Sequence, residues 1–119
     1  MTEETIQGRI EIAPQAIATL AGQAVLQCYG VVGMASRNLI DGIADLLQPD
    51  RWGRGVDVRV RDGQISVDLY VIVQYGTRIS EVAHGVMHGV QYALEQALGV
   101  PVTEVNVHVQ GLRMPGEGD

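Results

Sequence analysis

The stretch VDVRVR-DG-QISVDLYVIVQ, residues 56–74, constrains the fold more than any other part of this chain. Apolar and polar side chains alternate on both sides of Asp62-Gly63, and a period of two belongs to strands with one buried face. Asp and Gly tolerate positive φ, so the pair predicts a hairpin closed by a two-residue turn. That turn sets the register: Val60 stands opposite Ile65, Val58 opposite Val67 and Val56 opposite Leu69. All six side chains share one face, because a slip of one residue would turn them all into water. The opposite face carries Asp57, Arg59, Arg61, Ser66 and Asp68, and then, against the pattern, Tyr70 and Ile72.

The hairpin needs a second layer over its apolar face, and the flanking sequence supplies one. Residues 5–12 alternate, with Ile6, Ile10 and Ile12 on one side and Gln7, Arg9 and Glu11 on the other, which predicts a strand. Pro14 fits a first helical position, where its fixed φ and missing N–H do no harm. From it the apolar stripe Ile17, Leu20, Ala21, Ala24, Val25 and Cys28 predicts a helix to about Tyr29, with Gly30 placed to end it. A short extended piece follows. Leu39, Ile40, Ile43, Leu46 and Leu47 then predict a short amphipathic helix stopping before Pro49, and residues 48–55 a surface loop. Beyond the hairpin, Ile79, Val82, Ala83, Val86, Val90, Ala93, Leu94 and Ala97 mark a long helix from about Ile79 to Leu98. Thr77 is the expected cap, and Gly99 with Pro101 the stop. The last strand directs Val105, Val107 and Val109 inward and Glu104, Asn106, His108 and Gln110 outward, and residues 114–119 form a frayed tail.

The order strand, helix, short helix, hairpin, long helix, strand predicts an α+β fold. A small, mainly antiparallel sheet has its helices packed on one face. With 119 residues it makes a single domain, 1–119, with its core in residues 6–113.

Charge narrows the function. The chain carries 14 acidic and 8 basic residues, a net −6. Nucleic-acid binding draws its affinity from a positive stripe that displaces phosphate counterions, and adhesion to anionic lipid has the same requirement. The basic group Arg51, Arg54, Arg59 and Arg61 reads as a solvated loop and strand face. The lone Cys28 sits on an apolar helix stripe, as a small hydrophobe does. No apolar stretch approaches the roughly 20 residues that span a bilayer, and the N-terminus lacks a secretion-signal pattern. These features predict a cytoplasmic protein with no direct membrane insertion.

The most enzyme-like string is EVAHGVMH, residues 81–88. His84 and His88, four apart, meet over one helical turn, and with Glu81, and His108 at the furthest reach, they form the candidate metal set. A catalytic zinc requires a third ligand and a placed base, whereas Gly85 occupies the position where the zincin pattern has its Glu. Both histidines also fall on the solvent side of the helix, so surface histidines are the preferred reading, with no metal and no cofactor. Gly85 and Gly89 lie at the stripe's edge, where each costs about 1 kcal/mol against alanine. That cost predicts close approach by another backbone, from the first helix or a partner subunit. Gly30 and Gly33 make a GxxG string of the kind that clamps RNA in KH domains. Here Val31 and Val32 fill it, in an acidic chain. Ser36, Ser66 and Ser80 stand in no nucleophile-elbow context. Tyr70, Ile72 and Trp52, apolar groups on a face and a loop meant for water, are contact candidates. Either a third layer such as the residue 39–47 helix or a partner covers the first two.

The run from GRIEIAPQAIATLAG through DLYVIVQYG and ISEVA to the closing VNVHVQG resembles the alkaline-shock (Asp/Gls) family over about residues 6–113. The resemblance implies a non-catalytic protein of Gram-positive bacteria tied to alkaline and cell-envelope stress. It implies action as a homo-oligomer, through a small membrane-anchor protein, or both. The chain departs from the best-known members in lacking charged low-complexity extensions and in carrying histidines at 84 and 88.

Overall fold

A computed structural model of the chain describes residues 7–35 and 55–114. Helix α1 spans Pro14–Leu26, strand β1 Val31–Met34, β2 Val56–Arg61, β3 Gln64–Gln74, helix α2 Ile79–Leu98 and β4 Glu104–Arg113. The expected short helix at 39–47, Trp52 and most of the 48–55 loop lie outside the described residues.

The hairpin forms as its sequence dictates. Val56 pairs with Leu69, Val58 with Val67 and Val60 with Ile65, and the turn places Asp62 at φ 55° and Gly63 at φ 77°. Strand β3 is the centre of the sheet. On one flank it pairs antiparallel with β2 along its first half and with β1 along its second; on the other it pairs parallel with β4. The sheet is thus mainly antiparallel, with one parallel neighbour. A parallel strand cannot follow a tight turn, and α2 provides the long crossover that β4 needs.

Both helices cover one face. Ile17, Ala21 and Val25 of α1 and Val82, Val86, Val90 and Leu94 of α2 close over Val67, Leu69, Val71 and Val73 of β3. Helix α1 lies over β1 and β2, and α2 over β4. The four β3 side chains and Leu94 are fully excluded from solvent. Each such side chain contributes about 1.5–3 kcal/mol relative to exposure.

Several sequence expectations need correction. Residues 7–13 form no strand, although their backbone is extended at Ala13; Ile10 is 92% exposed. Alternation shows what a strand would bury but supplies no partner. Helix α1 ends at Leu26, not Tyr29, with Gln27 as its right-handed cap. Gly30 does adopt φ 87°, but beyond the helix end, where a Cβ would stand 2.6 Å from Cγ2 of Val82. It is the place where the α1–β1 turn presses on α2. Thr77 does not cap α2: its hydroxyl donates to the Gln74 carbonyl at 2.8 Å, and the cap residue is Arg78, with no side-chain bond. The far end follows expectation, with Gly99 left-handed at φ 76° and its N–H on the Glu95 carbonyl.

Candidate functional site: the polar face of the sheet

The sheet face away from the helices is built around one carboxylate. Asp68 interrupts the apolar run of β3 and is only 8% exposed. Strand pairing determines its neighbours. On β4 the parallel register sets Asn106 beside Asp68 and His108 beside Tyr70; on β2, Arg59 stands opposite Ser66, one diagonal step from Asp68. Diagonal pairs are within reach of long side chains. Arg59 Nη1 donates to Asp68 Oδ2 at 2.5 Å, and His108 Nε2 lies 3.0 Å from Oδ1, placed to donate. The imidazole also lies flat on Tyr70, ring centroids 4.6 Å apart and planes within 11°.

These contacts decide the charge state. Burial by itself pushes the Asp68 carboxyl up. Hydrogen bonds from His108, Arg59 and Asn106, with the Arg59 charge, outweigh it and hold the group below its ordinary value. The same bond raises Arg59, helped by the charges of Glu104 and Asp57. Asp68 is therefore an anion with both oxygens engaged. An Asp–His pair serves a nucleophile when the imidazole's other nitrogen is aimed at one; here the ring's geometry with Tyr70 is a stack. The face is rigid, and its central charge is internally compensated. Tyr70 and Ile72, both half-buried, flank the network on the same side.

The candidate metal set is not brought together. His84 and His88 are exposed on the outer side of α2, their ring centroids 6.4 Å apart, and His84 Nδ1 sits 2.8 Å from the Ser80 carbonyl. Glu81 pairs with Arg78 at 3.2 Å. His108 belongs to the opposite side of the molecule, with the sheet between. Among the described residues no group of three or more His, Cys, Asp or Glu side chains is arranged to hold a metal ion.

Gly85 and Gly89 also depart from expectation. A Cβ on Gly85 would meet no atom within 4 Å, and one on Gly89 only the Cys28 sulfur at 3.5 Å. Among the described residues, no backbone of this chain therefore accounts for either glycine. Gly85 instead borders an open groove of about 470 Å³ between the end of α1 and the start of α2, with Cys28, Tyr29 and Arg78 on its walls. Burial pushes the Cys28 thiol up, as its assignment as a small hydrophobe requires. The Gly30 and Gly33 string is no clamp loop either: Gly30 packs on Val82 and Gly33 belongs to β1.

Sequence reasoning does not find the Asp68 network. Its one signal is a carboxylate inside an apolar run, sharing alternation parity with Arg59 and with His108 on another strand. Without β4's register that signal has no geometry.

A family model for the alkaline-shock proteins, described as having a cell envelope-related function, matches residues 2–114. Bacillus subtilis YloU, an uncharacterised protein, is 49% identical over 111 residues, covering 92% of each chain. Streptococcus pyogenes Spy1614, also uncharacterised, is 40% identical over 114 residues, 95% of this chain and 94% of its own. Among solved structures, MamM CTD in a copper form aligns at TM-score 0.50 and 16% identity over 87% of this chain and 88% of that one. At such identity the likeness is one of fold alone.

Proposed function

The chain belongs to the alkaline-shock (Asp/Gls) family, whose function is cell-envelope-related, and from that premise we propose that it is a non-catalytic interaction module whose polar sheet face docks a partner protein. The carrying observation is the saturation of Asp68. Its charge is taken up by Arg59, His108 and Asn106, so the face offers a rigid platform rather than a free acid or base. Tyr70 and Ile72 supply the apolar contact, and aromatic side chains set among polar ones are the usual anchors of protein interfaces.

The partner this reading assigns is a small membrane-anchor protein, which would hold the chain on the cytoplasmic side of the envelope during alkaline or envelope stress. Among the described residues no helix is long and apolar enough to cross a membrane. The net charge of −6 disfavours direct contact with anionic lipid. Trp52 and the Gly85 and Gly89 edge of α2 are secondary contact candidates. The metals in the names of MamM CTD forms do not carry over, since His84 and His88 lack a third ligand among the described residues.

The test is the double substitution Tyr70→Asp and Ile72→Asp, with chemical crosslinking and pull-down from cells of the native host. Capture of a membrane-anchor protein by the wild type, and its loss in the double variant with an unchanged circular dichroism spectrum, is the expected result. Equal capture by both chains refutes the assignment of the face.

A further inference from the structure

We propose that residues 7–12 form a strand arm that adds to the outer edge of β4 in a second copy of this chain. The arm is already shaped as a strand. Arg9 Nε reaches Glu11 Oε2 at 3.1 Å, and side chains two residues apart meet on one side only when the backbone is extended. Its other side presents Ile10 and Ile12, 92% and 40% exposed. A single exposed apolar residue is ordinary. A period-two segment holding its apolar side in water and paired with no strand among the described residues is half of a sheet contact.

The other half is β4. Among the described residues it pairs with β3 alone, leaving one edge of a ten-residue strand open. Its core-facing Val107 and Val109 remain half-buried, while Val71 and Val73 of β3 are at 0%. A strand laid along that edge with its apolar side toward the helices would cover both valines and satisfy the edge's backbone groups. The β2 edge suits this less well, being six residues long and carrying Asp57, Arg59 and Arg61. Charged edges are a common guard against strand addition.

Tether length makes the contact intermolecular. Only Ala13 separates the arm from α1, which lies over β1 and β2, whereas α2 covers β4. From β2 to the far edge is a path of at least two strand spacings, about 10 Å, with α2 in the way. A single residue does not span it. The donor is therefore another copy, and each copy both gives an arm and offers an edge.

Because Ile10 and Ile12 touch little of their own chain, Ile10→Asp with Ile12→Asp should leave the thermal melt of the dilute chain unchanged. In sedimentation equilibrium it should weaken self-association at least tenfold. A wild type that stays monomeric to about 100 µM, or a double variant that associates like the wild type, overturns the proposal. Geometry is read separately in a Cys28→Ser background, mixing an Arg9→Cys chain with a Gln110→Cys chain of different length under a short bismaleimide. Crosslinked mixed pairs are expected. Their absence, or crosslinking only when both cysteines sit in one dilute chain, overturns it. Tyr70 and Ile72 are intact in these variants, so failure here and failure of the docking face are distinguishable.

Discussion

Replacing Asp68 by Asn tests whether the polar face is held together by its central charge. Asn keeps the shape but sets an NH2 group against the donor of Arg59 or of His108. Hydrogen bonds to charged groups contribute about 1.5–3 kcal/mol each when buried. Here the partners' side chains are 50% and 42% exposed and regain water when released, which pulls the figure toward the 0–1 kcal/mol of surface pairs. The expected loss is about 1–2 kcal/mol at pH 7, or about 5–10 °C in melting temperature for a domain of this size. Its pH dependence carries the sign. The folded carboxyl lies below its unfolded value of about 3.9, so the unfolded chain takes the proton first as pH falls. The stabilisation is full above that unfolded value and is lost as pH drops through the folded one. Urea denaturation of both chains at pH 7 and at pH 3 measures it. The gap between wild type and variant should be largest at pH 7 and shrink at pH 3. A gap below about 0.3 kcal/mol at pH 7, or one that widens in acid, refutes the account.

Two glycines separate packing from conformation. Gly30→Ala forces a side chain into a left-handed backbone and to within 2.6 Å of Val82, a cost of about 2–4 kcal/mol in urea titration. Adding Val82→Ala should recover about 1 kcal/mol against additivity, and a Gly30→Ala loss under about 0.5 kcal/mol contradicts the contact. Gly85→Ala, by contrast, enters helical backbone with open space around it and should stabilise by about 0.5–1 kcal/mol, seen as a higher melting temperature. A fall in stability there would mean that the space is not open.

What can be read from the sequence is local. The hairpin register follows from two residues, Asp62 and Gly63, acting on an alternating pattern, and the bounds of α2 from a stripe ended by Gly99. The rest depends on contacts between distant segments. The alternation of residues 5–12 is real, yet a strand exists only where a neighbour accepts its backbone, and the described part of this chain offers none within reach. Thr77 has the chemistry of a cap, but its hydroxyl is engaged by Gln74. Gly30 is left-handed for a reason the sequence does not display, since the demand comes from Val82 more than fifty positions later rather than from the helix it follows. Asp68, Arg59 and His108 each fall on the outward face by alternation, but their convergence requires that β4 run parallel to β3 with Tyr70 beside His108.

Tyr70 connects the fold to the proposed surface in a second way. Strands β1 and β2 lie end to end along β3, an edge strand interrupted by residues 36–54. The two sides of the interruption meet at one residue: the Ala35 N–H donates to the Tyr70 carbonyl at 3.0 Å, and the Tyr70 N–H donates to the Gly55 carbonyl at 2.8 Å. Gly55 is required there, with φ 83° and space for a Cβ only 2.7 Å from the Ala35 oxygen. Closing a flexible loop of on the order of 20 residues costs about 3 kcal/mol. Two hydrogen bonds at about 0.5–1.5 kcal/mol each offset part of that, and the β1 and β2 ladders supply the remainder. The backbone of Tyr70 thus fastens the insertion while its ring faces the partner side. Since the fastening uses only main-chain groups, Tyr70→Asp removes the ring and leaves the clip in place. Loss of partner capture in that variant therefore reports on the surface, not on a loosened loop.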